Sequence, residues 1–142
     1  MTPPACILIV EDERVVALDL ARRLRQLGYT IAGLASSGTD AITQALAHHP
    51  DLVLMDLRLP GAVDGLEAAQ FLRTHLNLPI LVVSGATDAT TLVRAHQVSP
   101  TGVLAKPVAD HALRSALHKV LTGGPVAQRP REAVWTPWGV LR

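Results

Sequence analysis

The sequence predicts an α/β protein: five strand–helix units forming a parallel sheet with right-handed crossovers and helices on both faces. Three observations predict it. Short apolar runs rich in β-branched residues recur along the chain, amphipathic helical patterns separate them, and the alternation repeats five times without any other internal repeat. The 142 residues suit one domain able to bury its own core. At 49% hydrophobic and 18% charged, the chain is not an intrinsically disordered one. Lys and Arg number 13 against 12 Asp and Glu, so no basic excess points to nucleic acid or an anionic membrane surface. The single cysteine, Cys6, excludes a disulfide framework and a cysteine-based zinc site. No apolar run approaches the length of a membrane span, and the first residues lack a basic region followed by a long apolar core. The expected setting is the cytoplasm.

Residues 5–10 (ACILIV) are apolar on both faces, as a buried parallel strand should be. Val16, Leu20, Leu24 and Leu27 then form a helical stripe, with Asp19, Arg22, Arg23 and Arg25 mostly off it. Gly28 ends that helix, because it tolerates the left-handed conformation. Residues 30–35 read as the second strand. Thr39 or Asp40 can cap a helix running to about His48 and stopped by Pro50. Residues 52–55 (LVLM) are a third buried strand, and 66–76 a helix with Leu66, Ala69 and Leu72 inward. Pro79 precedes a fourth strand, 80–84 (ILVVS). A helix over 87–97 is weakened by Thr90 and Thr91. Residues 102–105 form a short fifth strand. Asp110 is placed to cap a last helix with Leu113, Ala116, Leu117, Val120 and Leu121 on one face. Residues 1–122 are thus read as one domain. Residues 123–142 carry three prolines, two tryptophans and no helical period, and are read as a flexible or docking extension. Trp135 and Trp138 make it a candidate for docking or a dimer contact. Cys6 is expected to be core packing. His48 and His49 sit at a helix end, His111 and His118 are seven apart, and no histidine–metal site is expected.

In open parallel sheets the ligand site lies beyond the carboxyl ends of the strands. Glu11, Asp12 and Glu13 follow the first strand, Asp56 ends the third, Ser84 the fourth, and Lys106-Pro107 follow the fifth. If the first and third strands are neighbours, Glu11, Asp12 and Asp56 converge. Their mutual repulsion would be relieved by a hard divalent cation such as Mg²⁺, which favours a few carboxylates plus water. Lys106 adds a point charge and Ser84 a neutral donor for phosphoryl oxygens. These are the parts needed to move a phosphoryl group onto an aspartate, with Asp56 attacking in line.

Four stretches, LIVEDE (residues 8–13), LVLMDLRLPGAVDG (52–65), ILVVSGA (80–86) and GVLAKP (102–107), make the chain resemble a response regulator receiver domain of two-component signalling. The resemblance covers residues 5–121. It implies a flavodoxin-like doubly wound sheet with strand order 2-1-3-4-5. It makes Asp56 the phospho-acceptor, Asp12 a direct Mg²⁺ ligand, Glu11 a ligand mostly through water, and the backbone carbonyl of Arg58 a further ligand. Ser84 would bond the phosphoryl group and draw its loop inward. Lys106 would contact the phosphate, with a cis peptide before Pro107.

The departures from the family pattern are specific. Val103 stands where Tyr or Phe commonly acts as a rotating switch, and Val108 where Phe often follows the Lys-Pro pair. Residues 60–65 form a loop one residue longer than in chemotaxis-type receivers, similar to that of receivers associated with sensor kinases and of some stand-alone ones. Arg58 and Ala86 occupy positions that influence acyl-phosphate hydrolysis, and neither can orient a water as a carboxylate or amide would. Slow self-dephosphorylation is expected, and Arg58→Asn should shorten the phosphorylated half-life.

The resemblance thus implies a signalling domain rather than an enzyme. A sensor histidine kinase or phosphotransfer protein would supply the phosphoryl group in a Mg²⁺-dependent reaction. Output would pass by protein–protein contact, with the last helix and the tail as candidate homodimer surfaces, or the chain is the receiver part of a longer protein. Two other classes compete. An aspartyl-phosphate phosphatase is opposed by Asp56-Leu57-Arg58, which lacks the second acid such enzymes use. A phosphorylation-independent interaction domain is opposed by the complete acidic set.

Overall fold

The computed structural model describes residues 4–59, 64–85 and 102–122, together with the backbone of 134–136 and 139–141. Its elements are β1 (Cys6–Val10), α1 (Arg14–Gln26), β2 (Thr30–Ala35), α2 (Gly38–His48), β3 (Leu52–Asp56), α3 (Gly65–Leu76), β4 (Ile80–Ser84), β5 (Gly102–Ala105), α4 (Asp110–Thr122), β6 (Val134–Thr136) and β7 (Gly139–Leu141). The helix expected over 87–97 lies outside the described residues, as do Ala86 and Trp138.

The runs that are apolar on both faces occupy the middle of the sheet. Five parallel strands stand in the order β2-β1-β3-β4-β5, the flavodoxin-like arrangement. Alternate residues divide the core in two. Leu8, Val10, Val53, Met55, Ile80 and Val82 face a layer that includes Ala41, Ala45, Ala68, Ala69 and Leu72 of α2 and α3. Ile7, Ile9, Leu52, Leu54, Leu81 and Val83 face Leu20, Leu24, Leu113 and Leu117 of α1 and α4. Both surfaces of the sheet are therefore dry, the condition a parallel sheet requires. Among the described residues, no helix is long and apolar enough to cross a membrane.

Helix ends correct two expectations. Ser37, not Thr39 or Asp40, caps α2: its backbone is extended and its side chain accepts the Asp40 N–H at 3.1 Å. Asp40 is one turn inside, where its carboxylate accepts from the Gln44 amide at 3.1 Å. Asp110 is the first residue of α4 rather than its cap, and its carboxylate is engaged by Arg23 of α1. Leu66 faces inward as expected, half-buried against the core, and Ala68 joins it fully buried. Gly28 ends α1 at φ +97°, as its position suggested. Cys6 opens β1 half-buried rather than in the core, with its N–H on Asp51 Oδ2 at 2.8 Å.

The tail contains one feature without a helical signature to announce it. β6 and β7 pair antiparallel, with Trp135 level with Val140.

Candidate functional site

Strand register delivers the acidic residues to one point. Val10 of β1 is level with Met55 of β3, so the next residues, Glu11 and Asp56, emerge side by side. Ser84 of β4 is level with Ala105 of β5, so Lys106 emerges next to Ser84. The Lys106 N–H continues that ladder onto the Ser84 carbonyl at 2.9 Å.

Lys106 Nζ stands between two carboxylates, 3.0 Å from Glu11 Oε2 and 3.1 Å from Asp56 Oδ2. Glu11 and Asp56 are 3% and 6% exposed, so these are charge-assisted hydrogen bonds shielded from water. The other oxygen of Asp56, Oδ1, accepts the Arg58 N–H at 2.9 Å. The second oxygen of Glu11 accepts the Glu13 N–H at 3.2 Å. Asp12 is exposed, and its carboxylate completes a group of three whose oxygens lie within 4.8 Å of one another.

Burial lifts the Glu11 carboxyl above its ordinary range, and the nearby Asp56 charge lifts it further, against the opposing pull of Lys106 and the Glu13 N–H. Burial by itself would depress the Lys106 ammonium, but its bonds to Glu11 and Asp56 outweigh that and raise its pKa. At an effective dielectric of ~20, two carboxylates at such a separation repel by roughly 3 kcal/mol. Three carboxylates against one ammonium leave an excess of two negative charges on hard oxygen donors. Both the charge and the donor chemistry fit a magnesium ion.

Of the residues singled out from sequence, Glu11, Asp12, Asp56 and Lys106 are brought together. Ser84 is buried at the end of β4, on the same edge. The peptide between Lys106 and Pro107 is cis. Val103 lies level with Val82 and is 39% exposed, a surface aliphatic at the position read as a switch.

Two residues that bear on the site were not singled out from the sequence. Gly65 opens α3 against the end of β3: a Cβ there would stand 2.5 Å from Leu57 Cα and overlap the Asp56 carbonyl oxygen. Arg23, read as part of the polar face of α1, is only 15% exposed and reaches the segment after Lys106.

The chain belongs to the response regulator receiver domain family, whose model matches residues 7–118. It is 38% identical over 104 residues to the transcriptional regulatory protein PdtaR of Mycobacterium tuberculosis, covering 73% of this chain and 50% of that protein. Among solved structures it resembles the signal receiver domain of a modulated diguanylate cyclase from Desulfovibrio desulfuricans G20, with a TM-score of 0.77, 40% identity, and coverage of 81% of this chain and 91% of that one. It also resembles the receiver domain of the sensor histidine kinase PA1611 from Pseudomonas aeruginosa PAO1, which has a magnesium ion coordinated in its active-site cleft. There the TM-score is 0.74 and the identity 30%, over 82% of this chain and 96% of that one. The chain spans about half the length of the curated relatives it matches. Receiver domains are phospho-accepting signalling domains, and those of response regulators interact with histidine kinases.

Proposed function

We propose that this receiver takes a phosphoryl group onto Asp56 from a histidine kinase or phosphotransfer protein, with Mg²⁺ bound, and that the modification changes its protein contacts. The observation that carries this reading is the gathering of Glu11, Asp12 and Asp56 within 4.8 Å, with Lys106 Nζ 3.1 Å from Asp56.

Glu11, Asp12, Asp56 and the Arg58 carbonyl would hold the ion. When bound, it supplies positive charge to the phosphoryl oxygens and screens them from the carboxylates. The Arg58 N–H holds Asp56 Oδ1, which fixes the rotation of the carboxylate plane. One Asp56 oxygen forms a bond to phosphorus as the phosphorus–nitrogen bond of the donor breaks, and the electron pair leaves with the nitrogen. Lys106 exchanges Asp56 Oδ2 for a phosphoryl oxygen, and the Ser84 hydroxyl donates to another. Asp56 thereby exchanges a single charge for roughly −1.5 to −2, which biases the segments after β4 and β5.

A cavity of about 580 Å³ opens beside Lys106, lined by Val15, Val16, Leu20, Pro107 and Val108. Val15 and Leu18 stand exposed on α1. This apolar surface beside the acceptor suits a kinase or phosphotransfer protein. On this reading residues 1–122 form a cytoplasmic receiver, and 123–142 with the exposed face of α4 form an output or homodimer surface. No direct contact with nucleic acid or membrane is part of it.

The test is intact mass after incubation with phosphoramidate. The wild type should gain ~80 Da only with Mg²⁺, and Asp56→Asn should gain nothing. An unmodified wild type beside a modified control receiver would refute the reading.

A further inference from the structure

Lys106 has to be held accurately, yet among the described residues the chain around it shows few backbone ties. Its N–H bonds to Ser84, but the next residue is Pro107, which has no N–H to give. Three residues separate Lys106 from Asp110, the start of α4. Across this gap reaches Arg23 from α1, a residue 83 positions earlier in sequence.

The Arg23 guanidinium donates to the Val108 carbonyl at 2.6 Å and, through Nε, to Asp110 Oδ1 at 2.7 Å. The nitrogen bonded to Val108, Nη2, also lies 2.7 Å from the same Asp110 oxygen. Asp19, one turn back on α1, stands 3.7 Å away and is also held by Arg22 at 2.7 Å. The side chain is 15% exposed, so it is packed rather than waving in solvent. A planar fork can grip a carbonyl and a carboxylate together, whereas an ammonium on a flexible stem does so with less geometric control.

We infer that Arg23 is a positioning residue for the phosphoryl transfer: it clamps Val108 and Asp110 against α1 and so sets where Lys106 Nζ stands relative to Asp56. The inference rests on the phospho-acceptor reading of Asp56. It assigns a role in the chemistry to a residue that touches neither donor nor metal.

The experiment is a double-mutant cycle between Arg23 and Lys106, read as the rate of Mg²⁺-dependent modification by phosphoramidate, with urea midpoints measured in parallel. Arg23→Met should slow modification about tenfold in the wild-type background, the scale of a misplacement under one ångström. It should change the rate less than about twofold once Lys106 is Ala, because the group it positions is gone. Arg23→Lys should recover only part of the loss, since it restores charge and not the fork. Asp110→Asn, at a side chain 80% exposed, weakens the same clamp from the other side and should slow modification in the same direction. It supplies the measurement should Arg23→Met fail to fold. Equal slowing by Arg23→Met in both backgrounds, or full activity in Arg23→Met or Asp110→Asn beside a modified wild type, overturns the inference alone. A wild type that is never modified overturns the functional reading and the inference with it.

Discussion

Lys106 and Asp56 are fifty residues apart in sequence and 3.1 Å apart in space, and the same ammonium lies 3.0 Å from Glu11. In this arrangement the lysine is the counter-charge that lets two buried carboxylates coexist. Lys106→Met should therefore lower the stability of the metal-free protein by roughly 1–3 kcal/mol. Urea unfolding in the presence of a chelator checks this. The same variant should gain more from added Mg²⁺ than the wild type does. A variant as stable as the wild type in chelator would show that the carboxylates do not need the ammonium.

Asp12 offers a cleaner view of the metal, because its side chain is exposed and its loss leaves the core untouched. The wild type should be stabilised by Mg²⁺, by about 2.7 kcal/mol when the ion is at a hundred times its dissociation constant. Asp12→Asn should lose most of that gain, yet unfold within about 0.5 kcal/mol of the wild type in chelator. Thermal melts at a series of Mg²⁺ concentrations separate the two effects. Equal metal-induced shifts in both proteins would remove Asp12 from the site.

Gly65 makes the end of β3 sensitive to a single methyl group. Gly65→Ala drives a Cβ into the backbone at Asp56 and Leu57, which has no flexible end to move aside. Overpacking of this kind costs about 1–3 kcal/mol, and it should also slow modification of Asp56 by shifting its backbone. Gly28→Ala is the comparison: nothing lies near its Cβ, so its φ of +97° alone should cost about 1 kcal/mol, without an effect on modification. Chemical unfolding and the rate of phosphoramidate labelling together distinguish the two.

Tyr29 is the single tyrosine, and burial raises its phenol above the ordinary value of 10.0. The folded state then keeps a proton that the unfolded state releases, so stability falls as pH rises from about 10 toward the higher folded value. Tyrosinate absorbance should titrate above pH 10 in the native protein and return to about 10 in denaturant. Tyr29→Phe should lose less stability over that pH range than the wild type. A native titration at or below the denatured one would contradict the burial.

The central strands were legible because a central parallel strand is apolar on both faces: residues 80–84 read as they stand, and 5–10 and 52–55 to within a residue. The shared edge of Glu11, Asp12, Asp56, Ser84 and Lys106 was legible because each marks a strand's carboxyl end, where the parallel topology makes ends converge. Helix caps were not. Ser37, Thr39 and Asp40 all have capping side chains, and only the backbone conformation at Ser37 selects among them.

What the sequence determined by itself was the alternation of elements, the edge on which the acidic residues fall, and the chemistry they can hold. The tertiary structure alone decided that Lys106 pairs with both Glu11 and Asp56, that Gly65 lies against the end of β3, and that Arg23 reaches Val108 and Asp110. The reason is physical. Periodicity records which side of an element meets the core. A contact between residues fifty or eighty apart depends on how strands are ordered and how helices lie across them, and that geometry exists only once the chain has closed on itself.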